Sequence, residues 1–179
     1  MLQRSILSLF MAISLLCLAG VPAGAADAFP DLPLTGPLDE EQKEYLGLSD
    51  EARPSAIGAR YLFIELFSMY CPICQRNAPK VNALYQKVSS AGFGKNVRFI
   101  GIGAGNTAFE VKVYGEKFGV AFPLFDDPNY VWHKALGEVG TPTFYLVDMQ
   151  EGRTVRYRHE GAIDDVNVLL ALIKGFATP

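Results

Sequence analysis

Cysteine is scarce in this chain, which has three among 179 residues, at Cys17, Cys71 and Cys74. That scarcity excludes a small domain stapled by disulfides, which needs several pairs across its loops. Histidine is scarcer still, with only His133 and His159, so a histidine-rich metal site is excluded. No cluster of lysine and arginine interrupts a formal net charge of −3, which argues against a nucleic-acid partner. No segment repeats, and the longest apolar run, Ile6 to Ala19, is too short to span a bilayer comfortably.

What is present begins with that run. Arg4 gives it a positive start, and Ala23-Gly24-Ala25 offers a small-x-small cleavage site before Ala26, the pattern of an export signal over residues 1–25. A lipoprotein signal would use Cys17, but Leu16 stands where a small residue is expected. An uncleaved N-terminal anchor is the other alternative, with Val21 and Pro22 extending the apolar segment. Cleavage would leave about 154 residues whose only thiols are Cys71 and Cys74, enough chain for one core and short for two. Residues 26–57, rich in proline and acidic side chains, read as an N-terminal extension lying on the domain. Its Leu38–Leu48 stretch is a candidate short helix, and residues 58–179 form the domain proper.

Tyr61 to Phe67 (YLFIELF) is an apolar and aromatic run expected of a central strand buried on both faces. It ends at Cys71-Pro72-Ile73-Cys74, where a helix should start and continue through Val81, Leu84, Tyr85 and Val88 to about Gly92, with Pro79 kinking it. Two cysteines separated by two residues can close and open a disulfide across the first turn of a helix. The first sulfur sits among unpaired N–H groups at the positive end of the helix dipole, which favours its thiolate and marks Cys71 as the attacking thiol. Cys74, one turn in, is the shielded thiol that resolves a mixed disulfide. Glu65 interrupts the strand six residues before Cys71. A carboxylate there is costly unless protonated, so Glu65 is either a half-exposed acid paired with a lysine or a group of raised pKa beneath the helix that exchanges a proton with Cys74.

Val97 to Gly103 reads as a second buried strand, and Thr107 to Glu110 as the capping box of a helix ending near Gly119. Gly101, Gly103 and Gly105 superficially match a dinucleotide-binding loop, but Asn106 replaces its final glycine, which leaves a tight strand-to-helix turn. A short strand at Phe122–Asp126 and a helical turn at Asn129–Leu136 follow. Phe144–Asp148 and Thr154–His159 form a hairpin, and a last helix is expected to be capped by Asp164 and striped by Val166, Leu169, Leu170 and Ile173. Pro142 at the head of a strand marks a turn open to a cis bond. The resulting order is that of an α/β fold with a mixed central sheet and helices on both faces.

In register, CPIC at Cys71–Cys74, the strand carboxylate Glu65, the helix proline Pro79 and Thr141-Pro142 resemble the thioredoxin fold, and within it the TlpA/ResA-like exported thiol-disulfide oxidoreductases. The resemblance covers about Tyr61 to Phe176 and implies a thioredoxin-like three-layer sandwich. It makes Cys71 and Cys74 the catalytic pair and Glu65 their proton relay. Tyr70, Pro72, Ile73, Thr141 and Pro142 would line the substrate, with the Thr141 backbone pairing with an extended segment beside a cis Pro142. Tyr70 stands where many relatives carry tryptophan. No cofactor or metal is implied. The implied partners are exported proteins with cysteine pairs, apocytochrome c among them, and a membrane or exported thiol-disulfide electron donor, in a periplasmic setting.

Pro72 has no N–H and Ile73 no polar side chain, so the Cys71 thiolate lacks the local help that makes a couple strongly oxidising, which favours a reductase over a disulfide-inserting oxidase. A peroxidase would need a proline and a threonine where Ile64 and Ser68 stand. A copper carrier would use Cys71 and Cys74, with or without His133 as a third ligand.

Overall fold

The computed structural model describes residues 28–36, 38–49 and 51–178. The export signal expected over residues 1–25, with its Cys17, lies outside the described residues. Among those described, no helix is long and apolar enough to cross a membrane.

The elements are α1 (Glu40–Leu46), a 3-10 turn at Pro54–Ala56, β1 (Tyr61–Phe67), α2 (Pro72–Ser90), β2 (Val97–Ala104), α3 (Ala108–Phe118), β3 (Leu124–Asp127), α4 (Val131–Ala135), β4 (Thr143–Asp148), β5 (Thr154–Glu160) and α5 (Val166–Ala177). The strands form one sheet in the order β3-β2-β1-β4-β5. β1 pairs in parallel with β2 and antiparallel with β4, so the sheet is mixed. As the apolar run requires, β1 is central and every one of its residues is buried.

Strand side chains alternate between two cores. Phe63, Phe99, Phe144 and Leu146 meet Val81, Leu84 and Val88 of α2 and Leu169 and Ile173 of α5. Farther along the same face, Phe67 packs with Cys74, Ala78, Val111 and Tyr114. Leu62, Ile64, Leu66, Ile100 and Val147 face the other way, onto Leu46 of α1, Trp132 of α4 and Phe29, Leu34 and Ile57. Helices therefore cover both faces in a thioredoxin-like α/β sandwich, the second layer being completed by irregular chain.

That irregular chain is a strap. Ala28 bridges to Thr154 of β5, and Thr35 bridges to Asp126 of β3, so one segment touches both edges of the sheet. Between them the Trp132 indole N–H donates to the Pro33 carbonyl at 2.9 Å, and the Phe29 ring lies against Trp132 and Tyr145.

One expected cap is displaced. Asp165, not Asp164, caps α5, its carboxylate accepting the Asn167 N–H at 2.7 Å. Two adjacent aspartates offer the same cap chemistry, and the helix begins at Val166, which leaves Asp164 one residue too early. Thr107 and Glu110 form the anticipated capping box of α3.

Candidate redox site

The site lies where β1 hands over to α2. Cys71 has extended backbone and is the N-cap of α2, with Pro72 at the first helical position, where its missing N–H costs nothing. The Cys71 sulfur takes the role usually filled by a serine or aspartate oxygen, accepting the Cys74 N–H at 3.3 Å. On its other side it lies 3.1 Å from the Thr141 carbonyl, to which the protonated thiol donates. The Thr141–Pro142 peptide is cis, and the Pro142 carbonyl accepts from Gly161 N. Both cysteines are free thiols, Cys71 partly exposed and Cys74 fully buried.

The two thiols differ electrostatically. Burial on its own would push Cys71 up, but hydrogen bonds from the Cys74 thiol and N–H, from the Thr141 side chain and from the Ile73 N–H outweigh it, and the thiol sits below its ordinary value. Burial pushes Cys74 up, and donation to Cys71 and the nearby Glu65 charge push it further. One thiol is therefore primed to ionise and its neighbour held protonated.

Glu65 is paired through its backbone with Gly101 on one side and Phe144 on the other. By strand alternation its side chain shares the face of Phe63 and Phe67, the face on which α2 lies. The alternative of a half-exposed acid paired with lysine is overturned, since the residue is 2% exposed and in no ion pair among the described residues. Burial, then the charge on Cys71, push its carboxyl up to about 8, and Oε1 has no hydrogen-bond partner. A buried acid that holds its proton near neutrality can both accept and return one.

Tyr70 and Ile73, close to Cys71 in the chain on either side of it, are 66% and 42% exposed. The Tyr70 hydroxyl is bonded to the Glu110 carboxylate.

Sequence reasoning missed Tyr114. Its hydroxyl donates to the Cys74 carbonyl at 3.2 Å, and its ring stacks on Phe67 at 4.4 Å. The only sequence signal is a tyrosine in the apolar stripe of α3, where a buried hydroxyl must find a partner.

The histidines do not join the site. His133 Nε2 lies 2.9 Å from the Val139 carbonyl, and its backbone N–H donates to Asp127. The copper-carrier reading offered His133 as a third ligand beside the two thiols, and its Nε2 is engaged by the Val139 carbonyl. Among the described residues no three His, Cys, Asp or Glu side chains converge as a metal site. His159 is stacked between Phe144 and Tyr157.

The Redoxin family model matches residues 55–173, which takes in the whole sheet, both cysteines and the Thr141-Pro142 turn. The chain belongs to the Redoxin family. Among curated relatives it is 28% identical over 87 residues to the thiol-disulfide oxidoreductase ResA of Geobacillus thermodenitrificans, an alignment covering 49% of this chain and 48% of that one. The chain spans about half the length of most of the curated relatives it matches. A thiol-disulfide isomerase from Corynebacterium glutamicum superposes with a TM-score of 0.61 at 22% identity, covering 86% of this chain and 99% of the other. StoA from Bacillus subtilis superposes with a TM-score of 0.59 at 13% identity, covering 82% and 98%. These likenesses place the Redoxin-family domain in the thioredoxin-like fold that the sequence resembled.

Proposed function

We propose that this protein is a thiol-disulfide oxidoreductase that acts on cysteine pairs of exported proteins through Cys71 and Cys74, working as a reductase. The observation that carries the proposal is the Cys71 sulfur acting as N-cap of α2, half-open to solvent, above a buried thiol and a buried acid. Relatives named as ResA thiol-disulfide oxidoreductases support the same chemistry.

In the forward direction the Cys71 thiolate attacks one sulfur of a substrate disulfide. That S–S bond breaks, the departing substrate sulfur takes a proton from water, and a mixed disulfide joins Cys71 to the substrate. Forming it removes the negative charge that helped raise Glu65, so the carboxyl ionises more readily at the moment a base is needed. Glu65 then takes the Cys74 proton, and the Cys74 sulfur attacks Cys71. The bond between Cys71 and the substrate breaks, the released substrate thiolate takes a proton from water, and Cys71–Cys74 holds the disulfide until an electron donor reduces it. Tyr70 and Ile73 would meet apolar side chains flanking the substrate cysteine, and the Thr141 backbone and Pro142 would lie along an extended segment.

The reductase direction rests on Pro72 and Ile73, which add only the Ile73 N–H to the stabilisation of the Cys71 thiolate. The export-signal pattern of residues 1–25 supports a location outside the cytoplasm, with apocytochrome c among the substrates of suitable chemistry and a membrane or exported dithiol as donor. The test is the reduction potential of the Cys71–Cys74 couple, equilibrated against glutathione or dithiothreitol buffers. A value near about −270 mV is expected, and one near about −120 mV would assign the protein to disulfide insertion instead.

A further inference from the structure

The glycine-rich turn after β2, which carries no nucleotide fingerprint, has a different use. Asn106 is fully buried, and its Oδ1 accepts the Met69 N–H at 2.8 Å, two residues before Cys71. The Met69 carbonyl accepts from Gln75 Nε2 at 2.6 Å, so the two peptide groups flanking Met69 are held from both β2–α3 and α2. The next residue, Tyr70, is tied through its hydroxyl to Glu110, whose other oxygen closes the α3 capping box with Thr107. The glycines make room for this. A Cβ on Gly103 would lie 2.6 Å from Val111 and 3.1 Å from Asn106 Oδ1, and Gly105, at φ +67, leaves its Cβ space to the Tyr130 ring. Asn106 Nδ2 has no hydrogen-bond partner among the described residues, and a buried orphan donor is costly, so the side chain is held there by what its oxygen does.

We propose that Asn106 and Glu110 are positioning residues for the reactive thiol, together forming a seat that fixes the Ser68–Tyr70 loop and so keeps the Cys71 sulfur where it receives the Cys74 N–H. That bond is 3.3 Å, a close N–H···S contact, and it weakens as the loop carrying Cys71 shifts away from the start of α2. Loosening the seat removes donors from the thiolate and returns Cys71 towards the reactivity of a free thiol. The inference rests on the proposed role of Cys71 as the attacking sulfur.

The test is the pH dependence of iodoacetamide alkylation at each cysteine, read by peptide mass spectrometry in the folded, reduced protein. Glu65, Cys74 and Tyr114 are the titratable groups that interact with the Cys71 charge, and they are common to every variant compared. Asn106→Leu keeps the shape of the side chain and removes the acceptor. It should move the Cys71 midpoint up by about half a pH unit, about threefold less thiolate below the midpoint. Gln75→Leu should do the same, and the double variant should shift by less than the sum because both act on the backbone of one residue, Met69. Tyr45→Phe is the control, since it removes the hydroxyl that accepts the Phe99 N–H far from the loop, and should lower stability while leaving the midpoint in place. A folded Asn106→Leu protein with the wild-type midpoint, or a Tyr45→Phe shift of equal size, overturns the proposal. If Asn106→Leu does not fold, Tyr70→Phe at an exposed position reads the second tie, and an unchanged midpoint there overturns it equally. If Cys71 is alkylated no faster than Cys74 in the wild type, the proposed function itself fails before any variant is compared.

Discussion

The Cys71 sulfur accepts the main-chain N–H of Cys74 at 3.3 Å, so the two cysteines are coupled through a peptide group before any bond joins their sulfurs. This makes them chemically unequal. Cys71→Ser should abolish disulfide exchange. Cys74→Ser should leave the first attack intact and strand the protein as a mixed disulfide, visible as a substrate-sized mass increase that dithiothreitol removes.

Glu65 governs the second step. Glu65→Gln should slow resolution of a preformed mixed disulfide by about a hundredfold, with little change in the first attack, measured by single-turnover quenching. The slowing should be greatest near neutral pH, where hydroxide cannot replace the carboxylate as base for Cys74.

The same residue predicts a pH dependence of stability. In the folded protein its carboxyl is raised from 4.5 to about 8, so the folded state binds a proton that the unfolded chain has released. Its contribution is fully present below about pH 4.5 and is lost as pH rises through about 8. Urea midpoints should fall across that window in the wild type, and Glu65→Gln should flatten the fall.

Tyr114→Phe removes a side-chain donor to the Cys74 carbonyl, which lies within α2. A loss of about 0.5–1.5 kcal/mol is expected from urea denaturation, with Cys74 more readily alkylated at pH 8 as the first turn of α2 loosens.

Much of this was legible in the sequence because local chemistry and tertiary role agree. YLFIELF can only be a doubly buried strand, and CPIC after it places a sulfur at a helix start. Glu65 was conspicuous for breaking the apolar run. Asn106 and Tyr114 were not, because an asparagine after a glycine turn and a tyrosine in an apolar stripe are ordinary locally. Their partners, Met69 and Cys74, lie 37 and 40 residues away. The choice between Asp164 and Asp165 as cap was beyond reach for the opposite reason, since neighbours of identical chemistry carry no distinguishing signal. Residues 26–57 read as an extension because proline and acidic residues mask apolar side chains, Phe29, Leu34, Leu46, Ala52 and Ile57 among the described residues, that enter the core.

Phe29→Ala should expose how much that segment contributes. Phe/Trp→Ala changes in cores cost about 3–5 kcal/mol, and this one also unseats Trp132 and Tyr145. Intrinsic tryptophan fluorescence should shift to the red, reporting on the single Trp132, while the Cys71 alkylation midpoint stays put.

The strap also sets an order of events during synthesis. Pro33 waits for Trp132, 99 residues downstream, and Phe29 for Arg153, 124 residues downstream. A chain emerging N-terminus first therefore carries its strap undocked until the last hairpin is made. One face of the sheet closes only after nearly the whole polypeptide has been delivered, and until then Phe29 and Leu34 are open to whatever chaperone or membrane they pass.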